Sequence, residues 1–288
     1  MPGITAHYIF GQKVLDKYPK EIKNIVIENK DLFNIGLQGP DILFYYKPLK
    51  SNNVTKFGND MHDEKGSIFF NSAIDTLHSI EEENFNKYLS YLLGFLCHFT
   101  FDSNAHGYIE NKIYTSKVTH YDIEWEFERY LMKKNNIDPK KKQRLNWINI
   151  NKENSKIISA FYKGITPDEI FHSINSISFY DSFLLGAHLW QRELVSFVLY
   201  ISGQYKSKNK LRMQKEPIKL CLDSNLRLEK IMNNSINKCI ENTNILIDKL
   251  YNNTSLSKSF DKTFGPNENW QDILVLSLEE EKKYEIEI

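Results

Sequence analysis

The sequence predicts an all-α fold, a single multi-helix domain that spans residues 1–288. Apolar side chains recur at helical intervals along most of the chain, and 41% apolar and 13% aromatic residues are ample for a large core. No internal repeat, low-complexity tract or domain linker divides the sequence. A strand is compatible with the pattern only at residues 273–278. We expect residues 1–130 to carry the functional site and residues 131–288 to complete the helical core.

The first part of the chain places polar residues at the ends of predicted elements. Two helices are expected within residues 8–29, and His7 lies at the entry of the first. The sequence GLQGPD that follows predicts a sharp glycine–proline turn ending at Asp41. Residues 51–66 are polar and predict a loop. This loop would present His62, as binding residues are often presented on loops.

The middle of the chain predicts a helix from residue 68 and then a longer helix that carries His98. That helix is expected to stop at Gly107, because glycine commonly follows the last turn of a helix. Residues 138–144 are basic and predict a solvated turn. Further helices are predicted at residues 155–163, 178–200 and 225–251, and the last has an apolar stripe typical of a core-facing helix.

Charge is balanced along the sequence, with 37 basic and 37 acidic residues and a pI of about 7.1. This balance gives no global electrostatic basis for binding nucleic acid or an anionic membrane. The start of the chain lacks the basic residues and apolar run of a secretory signal, and the longest apolar run, residues 91–101, is too short to span a bilayer. We therefore expect a cytoplasmic protein without a transmembrane segment, or a secreted one if a signal has been removed.

Three cysteines, Cys97, Cys221 and Cys239, follow no Cys-x-x-Cys spacing. An odd number without that spacing excludes a disulfide scaffold and fits a reducing compartment. We interpret all three as small apolar side chains buried in the core.

The most informative pattern is the spacing of His98, Asp102 and His106. Intervals of four residues place all three on one face of a helix. His98 also interrupts the apolar run 91–101, where a polar side chain without a partner is costly. The alternative is that these are ordinary buried polar residues satisfied by hydrogen bonds. Because the interval is repeated, we favour a row of metal ligands.

The same interval returns at His120 and Glu124, directly after a capping-box pattern formed by Thr119 and Asp122. Imidazole and carboxylate groups together suit zinc, manganese or iron. Because these residues and the preceding row outnumber the ligands of one tetrahedral zinc ion, the pattern predicts a cluster of metal ions on two facing helices.

Taken in order, the candidate residues make this chain resemble the zinc-dependent phospholipase C family, an all-helical fold shared with the single-strand-specific zinc nucleases. The resemblance covers roughly residues 1–130. Its motifs are GLQGPD, the segment around His62 and the helix LLGFLCHFTFDSNAH. The residues that match in order are His7, Asp41, His62, His98, Asp102, His106, His120 and Glu124.

The resemblance implies a site for two or three zinc ions. One ion would be held by Asp41, His62, His98 and Asp102. A second ion would be held by His106, His120 and Glu124. A third would be held by His7 and by a bridging Asp102. The family's secreted enzymes add an N-terminal tryptophan to the third ion, whereas this sequence begins Met1, Pro2, Gly3.

The chemistry implied is hydrolysis of a phosphodiester by metal-activated water, with Asp41 orienting or deprotonating that water. No Ser-His-Asp arrangement or phosphate-binding glycine loop competes with this interpretation. We expect a phospholipid substrate with transient contact to a membrane surface. Aromatic side chains near the ligands could pack against a headgroup or acyl chain, unless they belong to the core: Phe44, Tyr45, Tyr46 and Phe57. A single-strand nuclease and a noncatalytic, metal-stabilised binding protein are the alternatives.

Overall fold

The computed structural model describes residues 3–48, 50–139, 147–185, 200 and 216–285. Within these ranges the chain forms helices and turns and no strand, so the predicted all-α fold is confirmed. The suggestion of a strand at 273–278 is wrong. Ser277 instead caps a short helix, because its side chain accepts a hydrogen bond from the main-chain N–H of Glu280. No helix in the described ranges is both long and apolar enough to cross a membrane.

The chain opens with three helices, α1 (Ile4–Lys17), α2 (Lys20–Glu28) and α3 (Lys30–Gly36). Helix α1 starts four residues earlier than residue 8, and His7 therefore lies inside it rather than at its entry. The reason is that the buried face of the helix already begins at Ile4. This extension fixes the His7 side chain within the core, where it is 1% exposed.

A 3₁₀ helix (Gly39–Tyr45) carries Asp41, and helix α4 (Asn53–Asp63) follows it. The prediction of a loop at 51–66 is wrong, because His62 lies on α4. Composition concealed the helix, since most of its residues are polar. The Asn52 side chain caps its first turn by accepting a 3.0 Å hydrogen bond from the Thr55 N–H. Its buried residues are spaced at helical intervals, namely Val54, Gly58 and Met61.

Helix α5 (Gly66–His78) leads to α6 (Glu82–Thr115), the longest helix among the described residues. The predicted stop at Gly107 is wrong, since α6 continues to Thr115. A Cβ atom at Gly107 would lie 2.6 Å from the Ile273 side chain. Glycine leaves room here for the close approach of the Ile273 side chain, and it does not end the helix.

Helix α7 (His120–Lys134) begins with the predicted capping box, in which the side chains and main-chain N–H groups of Thr119 and Asp122 are bonded reciprocally. Beyond it the described helices are α8 (Lys152–Ser159), α9 (Pro167–Leu185), α10 (Leu222–Asn252) and α11 (Leu278–Glu281). The helix predicted at 225–251 is confirmed as α10. The predicted helix at 178–200 and the basic turn at 138–144 lie largely outside the described residues.

Helix α6 is the centre of the molecule. It packs most extensively against α3 on one side and α10 on the other, and α1 and α7 also contact it. Its middle section, from Leu89 to Ser103, is buried without interruption. Because water is excluded there, any polar side chain on that section must be satisfied by another group of the protein or by a bound ligand.

Candidate metal centre

The buried section of α6 carries the predicted row of polar residues. His98 is fully buried, Asp102 is 1% exposed and His106 is 7% exposed. Helices α1, α4 and α7 and the 3₁₀ helix after α3 carry the other predicted residues to this face. All eight residues predicted from the sequence fall into three groups whose potential ligand atoms lie within 4.8 Å of one another.

The first group consists of His7, His98 and Asp102. The His7 Nε2 atom lies 3.2 Å from Asp102 Oδ1, and the His98 Nε2 atom lies 3.1 Å from Asp102 Oδ2. Neither pair has hydrogen-bond geometry: both nitrogens and both carboxylate oxygens are buried without a hydrogen-bond partner among the described residues. These buried polar atoms lie close together without forming hydrogen bonds. A cation shared between them would explain this arrangement.

The second group consists of Asp41, His62 and His98. Asp41 is buried, and its Oδ1 atom lies 2.9 Å from the His62 Nε2 atom. His98 is common to the first and second groups. The sequence-based assignment instead placed Asp102 with Asp41 and His62, and the groups formed by the described residues do not contain that combination.

The third group consists of His106, His120 and Glu124. The Glu124 Oε1 atom lies 2.5 Å from His120 Nε2 and 3.7 Å from His106 Nε2. The two imidazole rings are stacked with their centroids 5.4 Å apart. The capping box at Thr119 determines where α7 begins, and it thereby sets the position of His120 opposite α6.

Three of the histidines share one orientation, with Nδ1 hydrogen-bonded to a main-chain carbonyl. The acceptors are the carbonyl oxygens of Leu37 for His98 (3.2 Å), Gly58 for His62 (2.7 Å) and Asp102 for His106 (3.2 Å). When Nδ1 donates its proton in this way, Nε2 of a neutral ring carries a lone pair. In each case that lone pair faces a carboxylate. A lone pair and a carboxylate repel each other unless a proton or a cation lies between them, and backbone-anchored imidazoles of this kind are typical of metal ligands.

The ionisation of both carboxylates and of His7 suits metal binding, whereas His62 must first lose a proton. Burial lowers the pKa of His62, but its hydrogen bond with Asp41 outweighs burial and raises it. Burial alone would raise the pKa of Asp102, but the His98 and His7 rings outweigh it and hold that pKa well below its usual value. Burial likewise acts to raise the pKa of Asp41, and the hydrogen bond with His62 reverses the shift and lowers it. Burial lowers the pKa of His7, aided by the nearby His98. Ionised carboxylates and a neutral imidazole are the forms that bind zinc. The donor set therefore fits this metal.

Gly39, part of the predicted glycine–proline turn, and Tyr162, which the sequence did not indicate, hold the turn at Asp41. Gly39 has a φ of +51°, and a Cβ atom there would lie 2.2 Å from the His98 ring, so only glycine fits. The Tyr162 hydroxyl donates a 3.2 Å hydrogen bond to the Gly39 carbonyl and lies 2.6 Å from the Tyr91 hydroxyl. No local pattern marks Tyr162, because its contact with Gly39 joins residues 123 positions apart.

Aromatic rings surround the second group. Phe44 lies 5.1 Å from the His62 ring and is half-buried, whereas the fully buried Phe264 lies 5.3 Å from it. The other aromatic residues named from the sequence are also half-buried and pack against the core, namely Tyr45, Tyr46 and Phe57. Phe264 was missed because it lies in the second half of the chain, far from the predicted ligands in sequence.

The remaining histidines take no part in the three groups. His78 lies close to the Leu250 carbonyl, with 2.9 Å between its Nε2 atom and that oxygen, and His172 is exposed. His188 lies outside the described residues.

An all-α fold with three groups of converging imidazole and carboxylate side chains defines a candidate polynuclear metal protein. A comparison with models of protein families narrows this class to one family. The family model for zinc-dependent phospholipase C matches residues 6–189, which is more than half of the chain. The chain belongs to the zinc-dependent phospholipase C family. No curated protein and no solved structure shows significant similarity to it.

The matched segment extends beyond residue 130, where the resemblance read from the sequence ended. It contains all eight candidate ligands and also Tyr162, whereas Phe264 and helix α10 lie outside it. Family membership supports a metal-dependent phospholipase or phosphodiesterase and implies a lipid substrate.

Proposed function

We propose that the protein hydrolyses a glycerophospholipid in the manner of a phospholipase C. In this reaction water adds to phosphorus, and the bond between phosphorus and the glycerol oxygen breaks. The observation that carries the proposal is the orientation of the histidines. His62, His98 and His106 are anchored through Nδ1 and direct Nε2 toward carboxylates, in a chain of a zinc-dependent phosphodiester-cleaving family.

Each group has the residues to hold one zinc ion. Asp41, His62 and His98 would hold one, and His106, His120 and Glu124 would hold another. Asp102 and His7 would hold a third. His98 is close enough to bind either this third ion or the ion held by Asp41 and His62. When bound, zinc supplies an activated water and neutralises charge on the phosphate.

The protein's own residues would orient the reactants. Asp41 is our candidate for positioning the attacking water and accepting its proton, because its carboxylate is held by His62 on a turn that Tyr162 anchors. His62 and His120 have side chains 22% and 33% exposed, whereas the other candidate ligands are nearly buried. The substrate phosphate would therefore approach from the side on which these two histidines are accessible.

A lipid fits this site better than a polynucleotide for two reasons. The half-buried Phe44 beside His62 offers an apolar surface next to the candidate ligands. The chain has no net positive charge to attract a polynucleotide backbone. Transient contact with a membrane surface is part of this proposal.

The test combines metal analysis with a panel of substrates. Purified protein would be assayed for bound metal and for hydrolysis of phosphatidylcholine, a chromogenic phosphorylcholine ester and single-stranded DNA. We expect zinc and hydrolysis of the two choline compounds, with activity lost in Glu124→Gln. Cleavage of DNA alone would support the nuclease alternative. Zinc without hydrolysis of any substrate would support a noncatalytic, metal-stabilised protein.

A further inference from the structure

Two of the three cysteines meet inside the core. Cys97 lies on α6 and Cys239 lies on α10, and their Sγ atoms are 3.6 Å apart although 142 positions separate them in sequence. Both side chains are fully buried. All three cysteines are buried free thiols, in agreement with the sequence-based interpretation. Their number and spacing could not reveal that two of them are neighbours.

The surroundings keep the two sulfur atoms together. Helices α6 and α10 form one of the most extensive helix contacts in the described structure. The Tyr18 hydroxyl closes one side, 3.8 Å from Cys97 Sγ and 3.1 Å from Thr243 Oγ1. A disulfide has a sulfur–sulfur distance of about 2 Å, so the two atoms must approach by about 1.5 Å. Forming the bond therefore requires both side chains to rotate toward each other.

We propose that Cys97 and Cys239 form a disulfide when the chain folds in the presence of a small-molecule disulfide such as oxidised glutathione. One cysteine first forms a mixed disulfide with the oxidant, and the other then displaces the second glutathione thiol. One sulfur–sulfur bond forms in the protein. The oxidant accepts the two electrons and two protons and becomes two thiols.

Burial determines when this reaction takes place. Neither thiol is accessible in the folded protein, so the oxidant reaches them only while the chain is still folding. The crosslink would join α6, where Cys97 adjoins the candidate ligand His98, to α10, which lies outside the family-matched residues 6–189. It would also close a loop of 142 residues in the unfolded chain and so reduce the entropy of that state. The proposal requires neither zinc nor a substrate, and it stands apart from the proposed function.

The test uses the full chain as wild type and as Cys221→Ala, which leaves the neighbouring pair intact and removes the third thiol. Both are reduced and unfolded in denaturant, and then refolded with zinc in either a glutathione redox buffer or a reducing buffer. We expect the oxidised product to be lighter by two hydrogen masses and to yield a peptide that links Cys97 to Cys239. Its melting temperature should exceed that of the reduced product by about 5 °C or more.

The matched control is the double variant Cys221→Ala, Cys239→Ala, which should show neither the linked peptide nor the difference in melting temperature. Helical circular dichroism identifies the folded fraction in every sample. The proposal is overturned if folded wild-type protein from the oxidising buffer retains both thiols. It is overturned equally if the sulfur atoms carry only glutathione or are linked in another pairing.

Discussion

The Asp102 Oδ2 atom lies 3.1 Å from the His98 Nε2 atom. Within the described part of the chain, neither atom has a hydrogen-bond partner. His98 donates instead from its other nitrogen to the Leu37 carbonyl. Leaving a buried acceptor and a buried carboxylate opposite each other is expensive, because each loses its interactions with water. A cation between them removes that cost. Metal binding and the stability of the fold are therefore expected to be linked.

The first prediction concerns removal of metal. Chelation should lower the melting temperature of the zinc-loaded protein by about 5–10 °C, because the emptied groups bring carboxylates and imidazole lone pairs together. Calorimetry or circular dichroism melting measures the change, and adding zinc back should restore the original value. Identical melting temperatures with and without chelator would mean that the groups do not stabilise the fold through a metal.

The second prediction separates the third group from histidines elsewhere. His120→Ala and Glu124→Gln should each remove about one equivalent of zinc and reduce activity by more than the roughly 10–100-fold that changes to outer-shell residues cause. His172→Ala is the control, because this side chain is exposed and outside the three groups. Metal analysis and a rate assay provide the measurements. Equal losses from all three variants would show that the spacing of His120 and Glu124 has no special role.

The third prediction concerns the ion held by His7 and Asp102. Among the described residues this group shares His98 with Asp41 and His62, so His7 and Asp102 alone remain when His98 binds the neighbouring ion, and binding should be weaker than in the other two groups. Phosphate should raise occupancy, because its oxygens provide the missing ligands and binding stabilises the loaded state. Zinc titration with and without phosphate measures this. His7→Ala should abolish the phosphate-dependent increase and leave about two equivalents bound. A phosphate effect that persists in His7→Ala would contradict the assignment.

The fourth prediction concerns Tyr162, whose hydroxyl donates a hydrogen bond to the turn that carries Asp41. Tyr162→Phe removes the hydrogen bond to Gly39, so the turn carrying Asp41 should be less well held and turnover should fall by about 10-fold or more. Tyr108→Phe is a matched control, because Tyr108 is also buried and donates a 3.2 Å hydrogen bond, to Ser224 away from the site. Tyr108→Phe should lose about 1 kcal/mol of stability, and Tyr162→Phe at least as much, because its hydroxyl also bonds the Tyr91 hydroxyl. Only Tyr162→Phe should change turnover and zinc affinity. Equal effects on turnover would indicate a purely structural role.

Much of the fold and the candidate site could be predicted because the relevant signals are local. The interval of four residues between His98 and Asp102, repeated at His120 and Glu124, is set by the helix repeat. The capping box at Thr119 is also a local signal. Both signals can be recognised without knowledge of the tertiary structure. The pairs that they predicted, His98 with Asp102 and His120 with Glu124, are also neighbours in the structure.

The errors arose where tertiary packing overrides local signals. Gly107 resembles a helix stop, but α6 continues past it to Thr115, and Ile273 packs against it. The polar composition of 51–66 concealed α4, whose buried face is defined by only a few residues. Contacts between distant segments have no local signal, and these include Tyr162 with Gly39 and Cys97 with Cys239. The same reason explains why His98 was not recognised as shared between two groups.

The most direct test of the central claim is anomalous diffraction at the zinc absorption edge from crystals grown with zinc. We predict one strong peak among Asp41, His62 and His98 and a second among His106, His120 and Glu124. A weaker peak is expected between His7 and Asp102. Strong peaks elsewhere, with none among these residues in zinc-saturated crystals, would contradict the account.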